Sequence, residues 1–515
     1  MHLLCSIIIS MKLTIYNTLT RSKEEFVPLM EDPAYHGPKK DFVGLYSCGP
    51  TVYSMPHFGN LRAWFTADLI RNTIQHIMGY KMISMSNFTD VWHLAGDTAD
   101  GEDKMQKGAQ KEWLTAWDLA KKYEQIFRDF FKGLHIDEFE VMPRATEHIA
   151  EQINLVKKLE EKWYTYIIPD DGVYMDTSKI DDYGKLLGLN YKKHLEGIQA
   201  GERVELWGKK NITDFSLWKF HVGDGKRDME WESPRGIWFP GRHAECSAMS
   251  SKYLGNQFDI HHGGYDLIPV HHTNEIAQSE CAFGVHPRVK YRLHNQFVNM
   301  NGKKMSKSDG NTVSPQEVLD KWYTFLDIRY FFFTTHYRSF FDFTRESLDV
   351  AKHSRNNLIK KMQKLFDTHT KLIIDFDYAM PYETIKDTFT SKFVGDALEE
   401  MMAALMDDFN TPQLLAIINQ TLNALDKVEE VEMKEVFVAL HRLEKNLLKI
   451  GLFDRIGQEV VAVEIPTEVT ALADQRIQAK KEKNYALSDE LRDKILVLGR
   501  HVKDTKDGYE LTKNG

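Results

Sequence analysis

Three groups of residues in this 515-residue sequence could do chemistry. The first is "PHFGN" at 56–60. His57 and Asn60 stand three apart at the start of a helical pattern, so both can face one ligand. Gly59 removes a side chain where a nucleotide could stack, and the N–H groups of a helix start favour phosphate. The second is "NGKKMSKSDGN" at 301–311, a Gly- and Ser-containing loop that carries Lys304 and Lys307. Two ammonium groups can neutralise a pyrophosphate as charge builds on it. The third is scattered: Cys48 ends the apolar run "FVGLYSC", Cys246 lies in "PGRHAECSAM", and His271 and Glu275 lie in "PVHHTNEIAQS". His271 and Glu275 are i and i+4 on a helix, hence on one face. One cysteine from each of two strands plus this pair would make a four-ligand zinc site. His272 could equally be the helical ligand, though it shares a face with Glu275 less well.

Periodicity supplies the elements that must hold these groups. "KLTIYNTL" alternates and reads as a strand, and "FVGLYSC" reads as a strand buried on both faces. "GNLRAWFTADLIRNTIQHIMGY" has apolar residues at Leu61, Phe65, Leu69, Ile70, Ile74 and Ile77, which is helical spacing closed by Gly79. "KMISMSNFTD" is the next strand. Strand, long helix, strand is a parallel βαβ unit, so the fold class is α/β with a Rossmann-like doubly wound sheet. "GVYMDTS" and "RVELWG" read as short strands of an insertion, after which strand and helix return at "FDIHHGG" and "PVHHTNEIAQSECAFG". From Glu346 the pattern is nearly all helical, with an apolar stripe at Ala351, Leu358, Met362 and Leu365. "DDFNTPQLLAIINQTL" restarts a helix with Thr411 as N-cap and Pro412 in the first turn. A polar linker, "GQEVVAVEIPTEV", precedes a last helix and a small strand pair, "VKDTKDGYEL".

The expected organisation is a first catalytic half at 11–142, an inserted connective region at 143–240 and a second catalytic half at 241–300. The lysine loop and stem-contact region follow at 301–345, then a helical bundle at 346–455 and a small C-terminal α/β module at 466–515. "MHLLCSIIIS" has no Lys or Arg before its short apolar core and no clear cleavage pattern, while Met11 opens the first strand. Residues 1–10 therefore read as the product of an upstream start.

Bulk composition limits the alternatives. A chain this long implies several domains. Hydrophobic content of 42% and aromatic content of 12% suit a globular protein with packed cores. The net charge of −9 gives no global basic field, so any nucleic-acid contact must be a local patch. The four cysteines, Cys5, Cys48, Cys246 and Cys281, have no disulfide-framework spacing, which points to a reducing cytoplasm. No run reaches the roughly 18 apolar residues of a membrane span. Near the C-terminus Lys480, Lys481 and Lys483 form a basic cluster in which Tyr485 offers a stacking face. By residues alone this is either a solvated amphipathic helix or a nucleic-acid contact.

The two signatures "PHFGN" and "KMSKS", in that order, resemble the paired signature of class I aminoacyl-tRNA synthetases. Together with "YSCGPTVY", "PRATEHI", "DFSLWK", "HAECSAM", "FDIHHGGYDL", "HHTNEIAQS", "DDFNTP" and "NYALSDELRDKI", they resemble the cysteinyl-tRNA synthetase family from about Met11 to the C-terminus. The resemblance implies one Zn2+ per chain held by Cys48, Cys246, His271 and Glu275. It places His57, Gly59, Asn60, Lys304 and Lys307 on ATP, with Mg2+, and Asp266 near the ribose. Thr89, Arg242 and His261 would join Cys48 around the substrate L-cysteine. Lys480, Tyr485 and Asp489 would read the anticodon of tRNA(Cys), and the enzyme would act as a cytoplasmic monomer. Zinc binds thiolate strongly and hydroxyl poorly, so such a site would refuse serine without editing.

Two rival readings exist: a related ligase joining cysteine to an aminosugar, and a non-catalytic tRNA-binding paralogue. The helical bundle and basic C-terminal module count against the first. The intact lysine signature and four intact ligands count against the second. Some positions depart from the family pattern. Asn60 stands where a histidine usually ends the first signature, Arg242 replaces a usual tryptophan, and Lys480 replaces a usual arginine. "NFTDVWHLAGDTADGEDKM" is longer than usual and implies an inserted loop.

Overall fold

The computed structural model describes residues 11–91, 108–109, 112–189, 191, 208–220, 229–234, 236–300, 302–304, 313–321, 323–374, 391–425, 429–454, 467–482, 484–498, 500–505 and 508–513. It falls into two compact units, residues 1–454 and 455–515.

The first unit is built on a parallel sheet. Strands β1 (Thr14–Asn17) and β2 (Ser22–Glu25) form an antiparallel pair of their own. Then come β3 (Val43–Ser47), α1 (Phe58–Asn72) and β4 (Met82–Ser86). All of β3 is buried, which is why its sequence is apolar without alternation. Helix α1 is also buried over most of its surface, with Trp64 edge-on to Phe127 and Phe131 of α2 (Ala116–Gly133). Helix α3 (Ile149–Glu161) leads into the insertion, a five-stranded antiparallel sheet. Its strands are β5 (Thr165–Ile168), β6 (Gly172–Met175), β7 (Phe215–Phe220), β8 (Trp231–Ser233) and β9 (Gly236–Pro240). The "GVYMDTS" strand is β6; the expected "RVELWG" strand lies outside the described residues, apart from Gly208.

Helix α4 (Arg242–Leu254) returns the chain to the parallel sheet, followed by β10 (Phe258–Gly264). A π-turn at Ile268–His272 then runs into α5 (Thr273–Phe283), and β11 (Val289–Asn295) ends the sheet. The order is β11–β10–β3–β4, every pair parallel. The chain builds to one side of β3 with β4 and to the other with β10, so β3 and β10 flank the point where strand order reverses. Ligands of such sheets bind beyond the carboxyl ends of the strands at that point. Cys48 follows the end of β3 directly, and Asp266 lies two residues past β10.

A small sheet comes next, with β12 (Val298–Met300) and β13 (Lys303–Lys304) forming a hairpin. Its turn needs Gly302, whose φ of +75° is in the left-handed region. After α6 (Pro315–Leu319) and α7 (Phe325–Phe333), strand β14 (Phe341–Phe343) pairs with β12. The helical region is α8 (Arg345–Ile374), α9 (Lys392–Met406), α10 (Thr411–Ala424) and α11 (Glu430–Leu443). The expected stripe at Ala351, Leu358, Met362 and Leu365 is buried. The expected cap at Thr411 is corrected: Asn410 caps α10 by accepting from the Gln413 N–H, and Thr411 is the first helical residue. Arg329 locks the bundle to α1, since its guanidinium meets Asp68 at 2.9 Å and donates to the Leu447 and Leu448 carbonyls.

The second unit holds two helices where one was expected, α12 (Thr467–Lys481) and α13 (Tyr485–Val497), and the expected strand pair, β15 (Arg500–Thr505) with β16 (Gly508–Lys513). Among the described residues no helix is long and apolar enough to cross a membrane.

Candidate active site and metal centre

Cys48, Cys246, His271 and Glu275 converge, with ligand atoms all within 4.8 Å of one another. Cys48 arrives from the end of β3, and His271 and Glu275 from the π-turn and the first turn of α5. Cys246 lies on α4; the expectation of a second strand there is corrected. His271 Nε2 is 3.4 Å from Cys246 Sγ and 2.9 Å from Glu275 Oε1, and Cys48 Sγ is 3.8 Å from the same oxygen. Two soft thiols, an imidazole and a carboxylate, nearly all buried, are the donor set of a closed tetrahedral zinc site. The residues therefore fit the metal that the sequence implied.

The electrostatics are those of a site prepared for a cation. A hydrogen bond from Cys48 and the neighbouring His271 outweigh burial and pull the Cys246 thiol down to about 7. Burial pushes the Cys48 thiol up. Burial also opposes the His271 imidazolium, yet the charges of Cys246 and Glu275 raise it to about 10. Against burial, His261 and His271 hold the Glu275 carboxyl well below the usual range.

The residues expected around the substrate have different placements. His261 is fully buried, stacked on Tyr46 at 4.7 Å, with Nε2 2.8 Å from Glu275 Oε2. Thr89 is buried, accepts from Asn87 Nδ2 at 3.0 Å and donates to Glu245 Oε2 at 3.2 Å. Arg242 is exposed as the first residue of α4; it is His243, next in sequence, that meets the His271 ring, with the two Nδ1 atoms 2.9 Å apart. Asp266 is exposed in the turn after β10.

The "PHFGN" signature is the N-terminus of α1. His57 is the N-cap, its Nδ1 accepting from the Asn60 N–H at 3.2 Å, while Asn60 Oδ1 accepts from the His57 N–H at 3.1 Å. Gly59 serves the histidine: a Cβ there would lie 3.0 Å from the His57 ring, within the range where a neighbour must give way. In the second signature Lys304 ends β13. Lys307 lies outside the described residues, as does the expected inserted loop near 92–106.

In the second unit Tyr485 opens α13 and is 64% exposed, and Asp489 sits one turn on with its carboxylate 3.4 Å from Arg492. Lys480 lies in the last turn of α12.

Sequence reading offered His272 as an alternative helical ligand but did not find His243, Arg292 or His294. His272 Nε2 is 3.2 Å from Cys48 Sγ, and its Nδ1 meets His294 Nε2 at 2.7 Å. Arg292 of β11 is 1% exposed, and its two terminal nitrogens have no hydrogen-bond partner among the described residues. Its charge favours the Cys48 thiolate. The pairing His261↔Arg292 carries the signal, but register is not visible in one sequence.

Residues 36–353 match the family described as tRNA synthetases class I (C) catalytic domain. The chain is 38% identical to cysteine–tRNA ligase 1 of Burkholderia lata over 502 residues, covering 97% of each chain. It is 39% identical to cysteine–tRNA ligase of Thermococcus gammatolerans over 508 residues, covering 97% of this chain and 98% of that one. Among solved structures, Mycobacterium tuberculosis methionyl-tRNA synthetase in complex with methionyl-adenylate superposes with a TM-score of 0.52 over 82% of this chain and 92% of that chain. At 14% identity this likeness speaks for the fold alone. A parallel sheet with its ligand cluster at the switch point, both signatures in order and full-length relatives agree: the chain belongs to the class I aminoacyl-tRNA synthetases, in the cysteine–tRNA ligase family.

Proposed function

We propose that the chain activates L-cysteine with ATP and transfers the cysteinyl group to the terminal ribose of tRNA(Cys). The observation that carries this reading is the cluster of two thiols, an imidazole and a carboxylate brought together from the end of β3, α4, the π-turn and α5, with Cys48 nine residues before His57, the N-cap of α1. Cys48, Cys246, His271 and Glu275 would hold Zn2+, which when bound supplies a Lewis acid selective for thiolate over hydroxyl. His261 and Thr89 enclose the substrate side chain at this end; the exposed side chain of Arg242 stands at its edge.

At the other end the substrate carboxylate oxygen attacks the α-phosphorus of ATP. The bond to the β-phosphate oxygen breaks and pyrophosphate leaves, with Mg2+ accompanying it. The His57 cap fixes a tautomer: Nδ1 accepts a hydrogen bond, so the neutral ring carries its proton on Nε2 and donates to phosphate. Gly59 and Asn60 keep that ring in place, the α1 N–H groups add their dipoles, and Lys304 and Lys307 neutralise the leaving group. Asp266 accepts from the ribose. A ribose hydroxyl of tRNA then attacks the cysteinyl carbonyl and AMP leaves. No side chain forms a covalent bond, so catalysis is positioning plus electrostatics. Lys480, Tyr485 and Asp489 contact the anticodon, and the enzyme works as a cytoplasmic monomer with catalytic halves at 11–142 and 241–300. The test is cysteine-dependent ATP–pyrophosphate exchange followed by charging of tRNA. Exchange with cysteine and none with serine supports the reading; no exchange with either overturns it.

A further inference from the structure

The donors around Cys48 form two sets. Beside the four already described, Cys48, His261, His272 and Glu275 also bring their ligand atoms within 4.8 Å of one another. Zinc–ligand bonds of about 2.0–2.3 Å arranged tetrahedrally put donors roughly 3.3–3.8 Å apart. In the first set the separations are 3.4 Å for Cys246–His271, 2.9 Å for His271–Glu275 and 3.8 Å for Cys48–Glu275. In the second they are 3.2 Å for Cys48–His272, 3.8 Å for Cys48–His261 and 2.8 Å for His261–Glu275. The second set is as well sized as the first.

Three independent features point to a cation there. Glu275 divides its oxygens, Oε1 facing His271 and Oε2 facing His261, so one carboxylate can serve both positions. His261 Nδ1 lies 3.2 Å from the Tyr46 carbonyl oxygen, so a proton on Nδ1 has an acceptor and Nε2 can ligate an ion in place of the proton it shares with Glu275 Oε2 at 2.8 Å. Nε2 faces Glu275 Oε2 at 2.8 Å and Cys48 Sγ at 3.8 Å, the two groups with which it would share an ion. His272 Nδ1 likewise has a partner, His294 Nε2 at 2.7 Å, whose own Nδ1 lies 2.8 Å from Thr18 Oγ1. Metal-binding histidines ordinarily have their second nitrogen fixed in this way. Lastly, β10 is bare at Gly263 to admit the His272 ring: a Cβ there would lie 2.7 Å from Cε1.

We propose that Cys48, His261, His272 and Glu275 form a second metal position that takes a thiophilic divalent ion, Zn2+ or Cd2+, while the first is filled, with Cys48 and Glu275 bridging the two. The proposal rests on the function given above for one consequence only: because His261 borders the substrate side chain, an ion in the second position competes with the substrate thiol. The enzyme is thereby inhibited by excess of the metal it needs.

The experiment is a titration of the one-zinc protein with Zn2+ and with Cd2+ at free-ion levels set by a metal buffer, counting bound ions by elemental analysis. Two ions per chain at saturation are expected for the wild type. His272→Gln and His261→Gln should each bind one, and Cys246→Ser should still bind one, through the second set. In the exchange assay the wild-type KM for cysteine should rise about tenfold when free ion reaches ten times its dissociation constant, with kcat unchanged. A count that stays at one at every concentration overturns the proposal, as does a second ion that both histidine variants retain. Circular dichroism selects folded variants, and two separate histidine variants guard against failure of one to fold. The ion count needs no substrate, so a protein that binds two ions but does not activate cysteine refutes the functional reading and leaves this one standing.

Discussion

His57 and Asn60 cap each other: each backbone N–H is accepted by the other's side chain, at 3.2 and 3.1 Å. This reciprocal box explains how an asparagine can stand at the end of the signature. Its amide oxygen closes the helix start on the His57 N–H, while its backbone N–H holds the ring proposed to meet phosphate. Asn60→Ala removes half of the box. Loss of about 1 kcal/mol of unfolding free energy is expected, on the scale of a lost cap. Pyrophosphate exchange should slow about tenfold with KM for cysteine little changed, because a contact to the reacting phosphate acts on the rate. Denaturant unfolding and exchange kinetics on one preparation check both; a normal rate with a lost cap would remove His57 from the phosphate.

Metal removal offers the second prediction. With two thiols, a carboxylate and an imidazole around one point, zinc takes the place of the protons that Cys48 and His271 hold in the metal-free protein. A chelator-treated protein should lose cysteine-dependent exchange, melt at lower temperature, and regain both on addition of one equivalent of Zn2+. Elemental analysis beside the exchange assay is the measurement. Normal activity in protein shown to be metal-free would refute the role of the site.

Arg292 provides a third. Two thiolates and one carboxylate around a divalent ion leave one net negative charge. The buried Arg292 guanidinium, paired with His261 in the β10–β11 register and with its two terminal nitrogens lacking a hydrogen-bond partner among the described residues, offsets it. Arg292→Met, similar in length and apolar, should weaken zinc binding about tenfold, equivalent to the shift of one pKa unit. Arg292→Lys should recover part of that. Competition with a chromophoric chelator reads the affinity directly; unchanged affinity in Arg292→Met would leave the arginine a packing role alone.

How much of this could be read beforehand depended on surface polarity. Strand β3 and helix α1 were legible because a continuous apolar run and a 3.6-residue stripe are unambiguous at their lengths. Helix α4 was not: His243 through Ser250 are all buried, so there is no polar face and no stripe to see. Its cysteine was placed on a strand for that reason. The cap of α10 was misplaced by one residue because Asp408 and Phe409 both take positive φ, a tight turn that apolar patterning does not reveal. The break between α12 and α13 was hidden by an unbroken run of helix-favouring charge, and only the Asn484 side chain, accepting from the Leu487 N–H, marks the restart. The cluster of ligands was legible residue by residue through family resemblance. The supporting contact between His272 and His294 was not, because the π-turn and β11 that carry them meet only in the folded chain.

Asp90 supplies a pH-dependent prediction. Burial raises its carboxyl from 3.8 to about 6, against hydrogen bonds from the Thr146 N–H and hydroxyl at 3.0 and 2.6 Å. The folded value exceeds the unfolded one, so the folded state binds this proton more tightly. Its contribution to stability is complete below about pH 4 and is lost as pH rises through about 6. The shift corresponds to about 3 kcal/mol. Asp90→Asn keeps an oxygen for the Thr146 N–H and offers an N–H₂ to the hydroxyl, which can turn to accept it. The variant should be about 1–3 kcal/mol more stable than wild type at pH 8 and should flatten the stability profile between about pH 4 and 7. Urea unfolding across that range decides it, and an unchanged slope would mean that Asp90 titrates normally.

Tyr485 tests the second unit. It is the one aromatic side chain in the basic segment 480–492 and is largely exposed at the first turn of α13, with Asp489 a turn away on the same face. The hydrophobic cluster of this unit is Val469, Ala473 and Ile495, with Leu472, Val502 and Tyr509 packed against it. Tyr485 is not part of that cluster, so its removal should leave the unit folded. Anticodon bases splay out and stack on aromatic faces at roughly 1–3 kcal/mol per base. The lower half of that range predicts that Tyr485→Ala weakens tRNA charging about tenfold, chiefly through KM for tRNA. Cysteine-dependent pyrophosphate exchange should not change, because that reaction uses no tRNA and Tyr485 belongs to a different compact unit from the ligand cluster. Tyr485→Phe keeps the stacking face and should charge nearly as well as wild type. Equal losses in charging and exchange for Tyr485→Ala would mean that the side chain supports the fold, and a Phe variant as poor as the Ala one would mean that the hydroxyl, not the ring, makes the contact.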